Sequence, residues 1–179
     1  MILLLVPVPP LILSFKDAKT LGIAETICAC GMLTTGLIIG VKGIKSGYAK
    51  ILSVSLFISG LFMTGFGLFE NIIAICIFGF LFFAALPFAN NCLDYLVRTN
   101  IPTDAQGRAW GIIGFISQMG YVIAYVISGT AADVLGKISG RGVGRGSAMV
   151  VIIAGLLLAA TSTLILMSRN VRELENKED

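Results

Sequence analysis

The stretch IIAICIFGFLFFAALPFANNCLDYLV, residues 72–97, decides the fold. No charged residue occurs in it before Asp94. At 1.5 Å per helical residue, a hydrocarbon layer of about 30 Å takes about 20 residues, so this run spans a membrane with a turn to spare. It also shows no alternation of apolar and polar residues. Inside lipid every backbone amide needs a partner within the chain, and a continuous apolar run finds it as an α-helix rather than as a barrel strand.

Four further runs of comparable length flank it, at 21–41, 51–69, 109–135 and 148–167. A shorter apolar stretch, 1–15, carries Pro7, Pro9 and Pro10 and precedes Lys16, Asp17 and Lys19. It is too short for a full span, and it lacks both the leading basic residues and the small-residue cleavage site of a signal peptide. It reads as the end of a helix. The expected fold is therefore all-α: a polytopic membrane bundle over 1–167, with about five full transmembrane helices and one partial N-terminal one, followed by a charged tail, 168–179. Composition agrees. Of 179 residues 56% are hydrophobic and 13% charged, against roughly 45–50% and about 25% in soluble domains, and the mean hydropathy is +0.94.

The charges lie between the runs. Lys42, Lys45, Lys50, Arg98, Arg108, Arg169, Arg172 and Lys177 fall on one side of the alternating topology, and Lys16, Lys19, Lys137, Arg141 and Arg145 on the other. Eight basic residues against five assign the first set, and with it the C-terminal tail, to the cytoplasm of a multi-pass cell-membrane protein. The net charge of +3 is loop chemistry of this kind and implies no nucleic acid. The partner implied is the lipid bilayer. Cys28, Cys30, Cys76 and Cys92 lie in apolar runs, where cysteine behaves as a small hydrophobe. With no histidine in the chain and no second cysteine pair at finger-like spacing, no metal or cofactor is expected.

Polar residues inside the spans need a reason, because a mid-helix carboxylate costs roughly 2.5–3.5 kcal/mol while each Leu, Ile or Val returns only about 0.3–0.6. Glu25 shares a face with Ala29, Met32, Gly36 and Gly40, small residues suited to a neighbouring helix or a cavity; alternatively it sits hydrated among headgroups. Pro87, Asn91, Asp94 and Arg98 fall on one face of the third full helix, with Asn90 beside them. Proline there frees a backbone carbonyl, as helices lining cavities do. Asp94 and Arg98 are also spaced for a simple i, i+4 ion pair. In the fourth helix Gly111, Gly114, Gln118, Tyr121, Tyr125 and Ser128 recur at steps of three and four. That stripe suits either helix packing or a polar, aromatic wall for an amphipathic ligand. The second and fifth helices carry only Ser, Thr and Gly as polar interruptions, which fits lipid-facing or scaffold positions.

Two loops complete the reading. Residues 140–146, GRGVGRG, lack a preceding strand and the Gly-Lys-Ser/Thr ending of a phosphate loop, so they are expected to form a flexible connector. Residues 101–110, IPTDAQGRAW, look like an ordered turn. A proline stops one helix, Thr103 or Asp104 can cap the next, and Gly107 and Arg108 open it.

Asn90 to Gly136, with NCLDYLVR, IPTDAQGRAWG and SGTAAD in order, resembles the tenth and eleventh helices of major facilitator superfamily exporters, nearest to the macrolide- and drug-efflux-like branch. GMLTTG at 31–36 and GVKGIK at 40–45 resemble the eighth helix and a degenerate glycine-basic cytoplasmic loop, in which Gly40 stands where an acid is expected. The resemblance implies a chain running from the end of helix seven to helix twelve, without the first six helices. It implies further a proton-coupled secondary transporter of a hydrophobic or amphipathic small molecule, with an N-terminal six-helix half as partner. Glu25, Asn90, Asn91, Gln118, Tyr121 and Tyr125 are then the candidate cavity residues, and Pro87, Asp94, Arg98, Gly107 and Arg108 the structural or gating ones. The other function class is a non-transporting membrane remnant or accessory subunit that assembles through its glycine faces. An enzyme is disfavoured: no nucleophile stands at a recognisable spacing from a base.

Overall fold

The computed structural model describes residues 17–44, 46–69, 71–140 and 142–167. The stretch 1–15, the tail 168–179, Lys45 and Arg141 lie outside the described residues. Five helices follow one another: α1 (Ala18–Lys42), α2 (Tyr48–Leu68), α3 (Ile72–Asn100), α4 (Thr103–Ser139) and α5 (Gly142–Met167). Each is long and apolar enough to cross a membrane. The protein is a multi-pass membrane helical bundle.

The helices run past the apolar stretches, because a helix continues into the interface until a cap or a proline stops it. α4 begins at Thr103 rather than Ala109 and ends at Ser139 rather than Leu135. Its 37 residues make it about 55 Å long, well beyond the hydrocarbon layer. α1 ends at Gly43, whose φ of +64° suits a residue without Cβ and whose N–H donates to the Ile39 carbonyl at 2.8 Å. The segment expected as a flexible connector is instead mostly helix: Gly140 closes α4 at φ +64° and α5 starts at Gly142.

Pairwise packing runs in the order α1, α3, α2, α5, α4, and α3 and α4 touch only slightly although a two-residue turn joins them. The centre of this series is the α2–α5 seam. A Cβ added at Gly60 would sit 2.7 Å from the Gly155 carbonyl oxygen, so the two backbones cross at glycine contact. Ser53 and Ser162 are buried in the same seam, and the Ser162 hydroxyl donates to the Ser53 carbonyl across it. The Ser and Gly interruptions of α2 and α5 thus serve as scaffold; those in the seam do not face lipid. Between helices that lipid solvates as well as they solvate each other, close backbone approach and interhelical hydrogen bonds supply the association energy.

α1 meets α3 through Ala24, Cys28, Thr35 and Ile39, all buried, and through Gly31, where an added Cβ would meet the Phe80 carbonyl oxygen at 2.5 Å. This face is one residue, or about 100°, away from the stripe through Glu25. Cys28 is buried and Cys30 is exposed, so the two thiols do not share a face. α3 buries Ile75, Gly79, Phe82, Leu86, Ala89, Cys92 and Leu96, a stripe at steps of three and four along one face.

Candidate functional site

Two of the candidate groups lie at the end of the bundle shared by the α1–α2 loop and the α3–α4 turn. Asp94 Oδ2 accepts from Arg98 Nε at 3.0 Å, an i, i+4 ion pair on the exposed end of α3. With both side chains so open it contributes only a few tenths of a kcal/mol. α4 opens differently from the capped start expected at Thr103 or Asp104. Pro102 takes the N-cap position, and no side chain caps the helix. The turn is instead tied by Gln106, whose side-chain amide donates at 3.0 Å to the carbonyls of both Arg98 and Ile101. Arg98 lies in the last turn of α3 and Ile101 is its C-cap, so one α4 side chain closes the preceding helix. Gly107 and Arg108 follow it and are exposed.

The same end holds a contact absent from the sequence reading. Tyr48, in the first turn of α2, stacks on Tyr95 of α3 with ring centroids 3.6 Å apart and planes 9° from parallel. Its hydroxyl donates to the Ile44 carbonyl. Ile44 and Tyr48 pack onto a small core of Leu52, Ala89, Cys92 and Leu96. Ile44 and Tyr48, which flank the end of the glycine-basic loop, are therefore packed on α3 within one turn of the Asp94–Arg98 pair.

The remaining candidates divide between two helices at the ends of the packing series and one near its middle. In α3, Pro87 is half-buried inside a continuous helix, and Asn90 and Asn91 are exposed. In α1, Glu25 is exposed, as are Ala29, Met32, Gly36 and Gly40, and a Cβ at Gly36 or Gly40 would meet nothing within 4 Å. Among the described residues the small-residue face of α1 therefore has no helix against it. The expected neighbour on that face is not among α2–α5.

α4 carries the most informative arrangement. Gly111, Gly114, Gln118, Tyr121, Tyr125 and Ser128 lie within an arc of about 100°, and the i+4 series from Ser128 leads on to Ala132 and Gly136. The C-terminal half of this face packs on α5: Ser128, Ala132 and Gly136 are buried, and a Cβ at Gly146 of α5 would collide with the Ala132 carbonyl oxygen and lie 2.7 Å from the Gly136 nitrogen. The N-terminal half of the same face is open. Gly111, Gly114 and Gln118 are exposed, with no atom within 4 Å of where either glycine's Cβ would lie. Between the halves, half-buried Tyr121 stacks with exposed Tyr125, ring centroids 5.8 Å apart. Packing between the described helices accounts for the stripe from Ser128 onward and does not account for it from Gly111 to Gln118. Tyr121 is also the middle residue of α4, so Gln118, Tyr121 and Tyr125 lie around the centre of that helix.

This arrangement presents two ring faces and an amide on one open stretch of helix surface. Among the described residues no three His, Cys, Asp or Glu side chains group to bind a metal ion. Comparison with known proteins gives one result: the family model described as Major Facilitator Superfamily matches residues 1–179. No curated protein and no solved structure matches the chain.

Proposed function

The chain belongs to the major facilitator superfamily of membrane transport proteins, and we propose that it forms one wall of a secondary active, proton-coupled exporter of a hydrophobic or amphipathic small molecule. The observation that carries this reading is the open half of the α4 stripe. Gln118 and the Tyr121–Tyr125 pair form an open polar and aromatic surface around the middle of α4, which we set at the depth where secondary transporters hold their substrates. A face that is glycine-lined and polar, yet unpacked, is costly against lipid and suits a cavity or a second bundle. We place the opposing six-helix half of such a transporter against this face and against the Glu25–Gly36–Gly40 face of α1. Glu25, an exposed carboxylate within a spanning helix, is the candidate proton carrier.

The test is alanine substitution at Gln118, Tyr121 and Tyr125 in the transporter assembled with its other half. Each change removes one hydrogen bond or one aromatic face, and substrate Kd should rise about three- to ten-fold. The amount of inserted protein should not change, since two of the three side chains are exposed. Unaltered affinity and transport in all three variants would remove the stripe from the substrate path.

Orientation has its own test. In a cysteine-free background, a single cysteine at Asp104 should resist a membrane-impermeant maleimide in intact cells, while one at Lys137 should react. Both positions are exposed and lie at opposite ends of α4. The reverse pattern would invert the topology given by the basic-residue count.

A further inference from the structure

Away from the α4 stripe, the bundle carries an open groove of about 470 Å³ between α1 and α2, floored by α3. Ala84 and Ala85 make the floor, and their small side chains are what give it depth. Val54 and Ile58 of α2 form one wall and Thr35 of α1 the other, with Lys50 at the mouth. Val54 and Ile58 are themselves partly exposed, so the groove opens sideways toward the hydrocarbon. From Lys50 to Ile58 it follows α2 for about 12 Å, from the interface down into the apolar layer. The volume falls within the ordinary range for small-molecule sites.

The charge at the mouth identifies what fits. Lys50 is the single charged group lining the groove, and it is exposed. Lys42 stands in the last turn of α1 at the same end of the bundle, and residues 41–50 hold three lysines and no acid. The first turn of α2 adds to this. Its N-cap is Gly47, which has no side chain to accept from the amides of that turn, and those amides carry the positive end of the helix dipole. A lysine ammonium on a flexible stem reaches headgroup level while its methylenes stay against the apolar wall.

We propose that this groove is a binding site for an anionic phospholipid, with one acyl chain lying along Ala84, Ala85 and Ile58 and the phosphate held by Lys50. An apolar slot alone would take any lipid tail. A basic mouth between transmembrane helices selects the anionic ones. The binding does not depend on the transport reading or on which side faces the cytoplasm. Its consequence is mechanical: the α1–α2 loop, fixed to α3 through Tyr48 and Tyr95, sits beside the bound headgroup.

Native mass spectrometry of the full chain, titrated with dioleoyl phosphatidylglycerol or dioleoyl phosphatidylcholine, decides it. Phosphatidylglycerol should bind about five-fold more tightly, the effect of one lysine near an anionic headgroup, and the preference should shrink as salt is raised. Lys50→Gln should remove most of the preference, and Lys50→Arg should keep it. Ala85→Phe, which fills the floor, should weaken both lipids, with helical content and elution volume checked to be those of the wild type. Equal retention of the two lipids by the wild type would overturn the proposal. So would a preference left undiminished by Lys50→Gln, or an Ala85→Phe variant that binds both lipids as before. A dimer that excludes lipid from the groove would overturn it in favour of a second copy as the occupant.

Discussion

Leucine at Gly146 is expected to lower the melting temperature of the purified protein, by up to about 9 °C, while leucine at Gly111 leaves it unchanged or slightly raised. On helix propensity alone both changes should stabilise, by about 0.8 kcal/mol each. The surroundings reverse the sign at one site. At Gly146 even a Cβ would overlap the Ala132 carbonyl oxygen, a backbone atom that cannot rotate away, so α4 and α5 must separate. Overpacking of this kind costs about 1–3 kcal/mol or more, which exceeds the propensity gain, and a domain of this size loses about 2–4 °C per kcal/mol. Gly111 has nothing within 4 Å and has only the propensity term. Thermal shift followed by fluorescence-detected size exclusion measures both. Activity should divide the other way, since a leucine at Gly111 intrudes on the open half of the stripe, where the opposing half is proposed to pack. A Gly146 variant as stable as wild type would mean that α4 does not cross α5 where the structure has it.

The contrast between these two glycines shows what the sequence could and could not convey. Five spans were legible because twenty apolar residues in a row have few other uses. Their ends were less legible, since a helix runs on through polar interface residues until a cap stops it. α4 gains the six residues from Thr103 to Arg108 in that way. Facing was the hardest to read. In α1 the stripes through Ala24 and through Glu25 are one residue apart and both hold small residues, so nothing in the spacing chooses between them. Phe80 and Gly79 of α3 make the choice, by accepting Gly31 and Cys28 at close range. The glycines of α4 and α5 read alike in sequence, yet Gly146 lies in a packed crossing and Gly111 and Gly114 lie open. Gln106 did leave a signal. An amide side chain four residues beyond a proline-directed helix stop can turn back onto the carbonyls that the stop leaves free.

The largest functional effect is expected from the simplest preparation. The 179-residue chain reconstituted alone in liposomes, with a proton gradient imposed, should accumulate no substrate above the level of protein-free vesicles. The helices described pack in one series, from α1 at one end to α4 at the other. The polar and small faces at both ends, Glu25 with Gly36 and Gly40, and Gln118 with Gly111 and Gly114, remain exposed. A cavity needs those faces enclosed, and alternating access needs two bundles that rock about a midplane site. One bundle, even with substrate at the proposed Tyr121–Tyr125 surface, has no second bundle to rock against. Co-reconstitution with a six-helix half of the same family should restore gradient-driven accumulation, and Glu25→Gln should abolish it again if that carboxylate carries the proton. A pair of identical chains could also close the faces, because glycines at 36, 40, 111 and 114 permit close approach. Gradient-driven uptake by the chain alone, rising with the square of its density in the vesicle, would establish that dimer and displace the two-half arrangement proposed here.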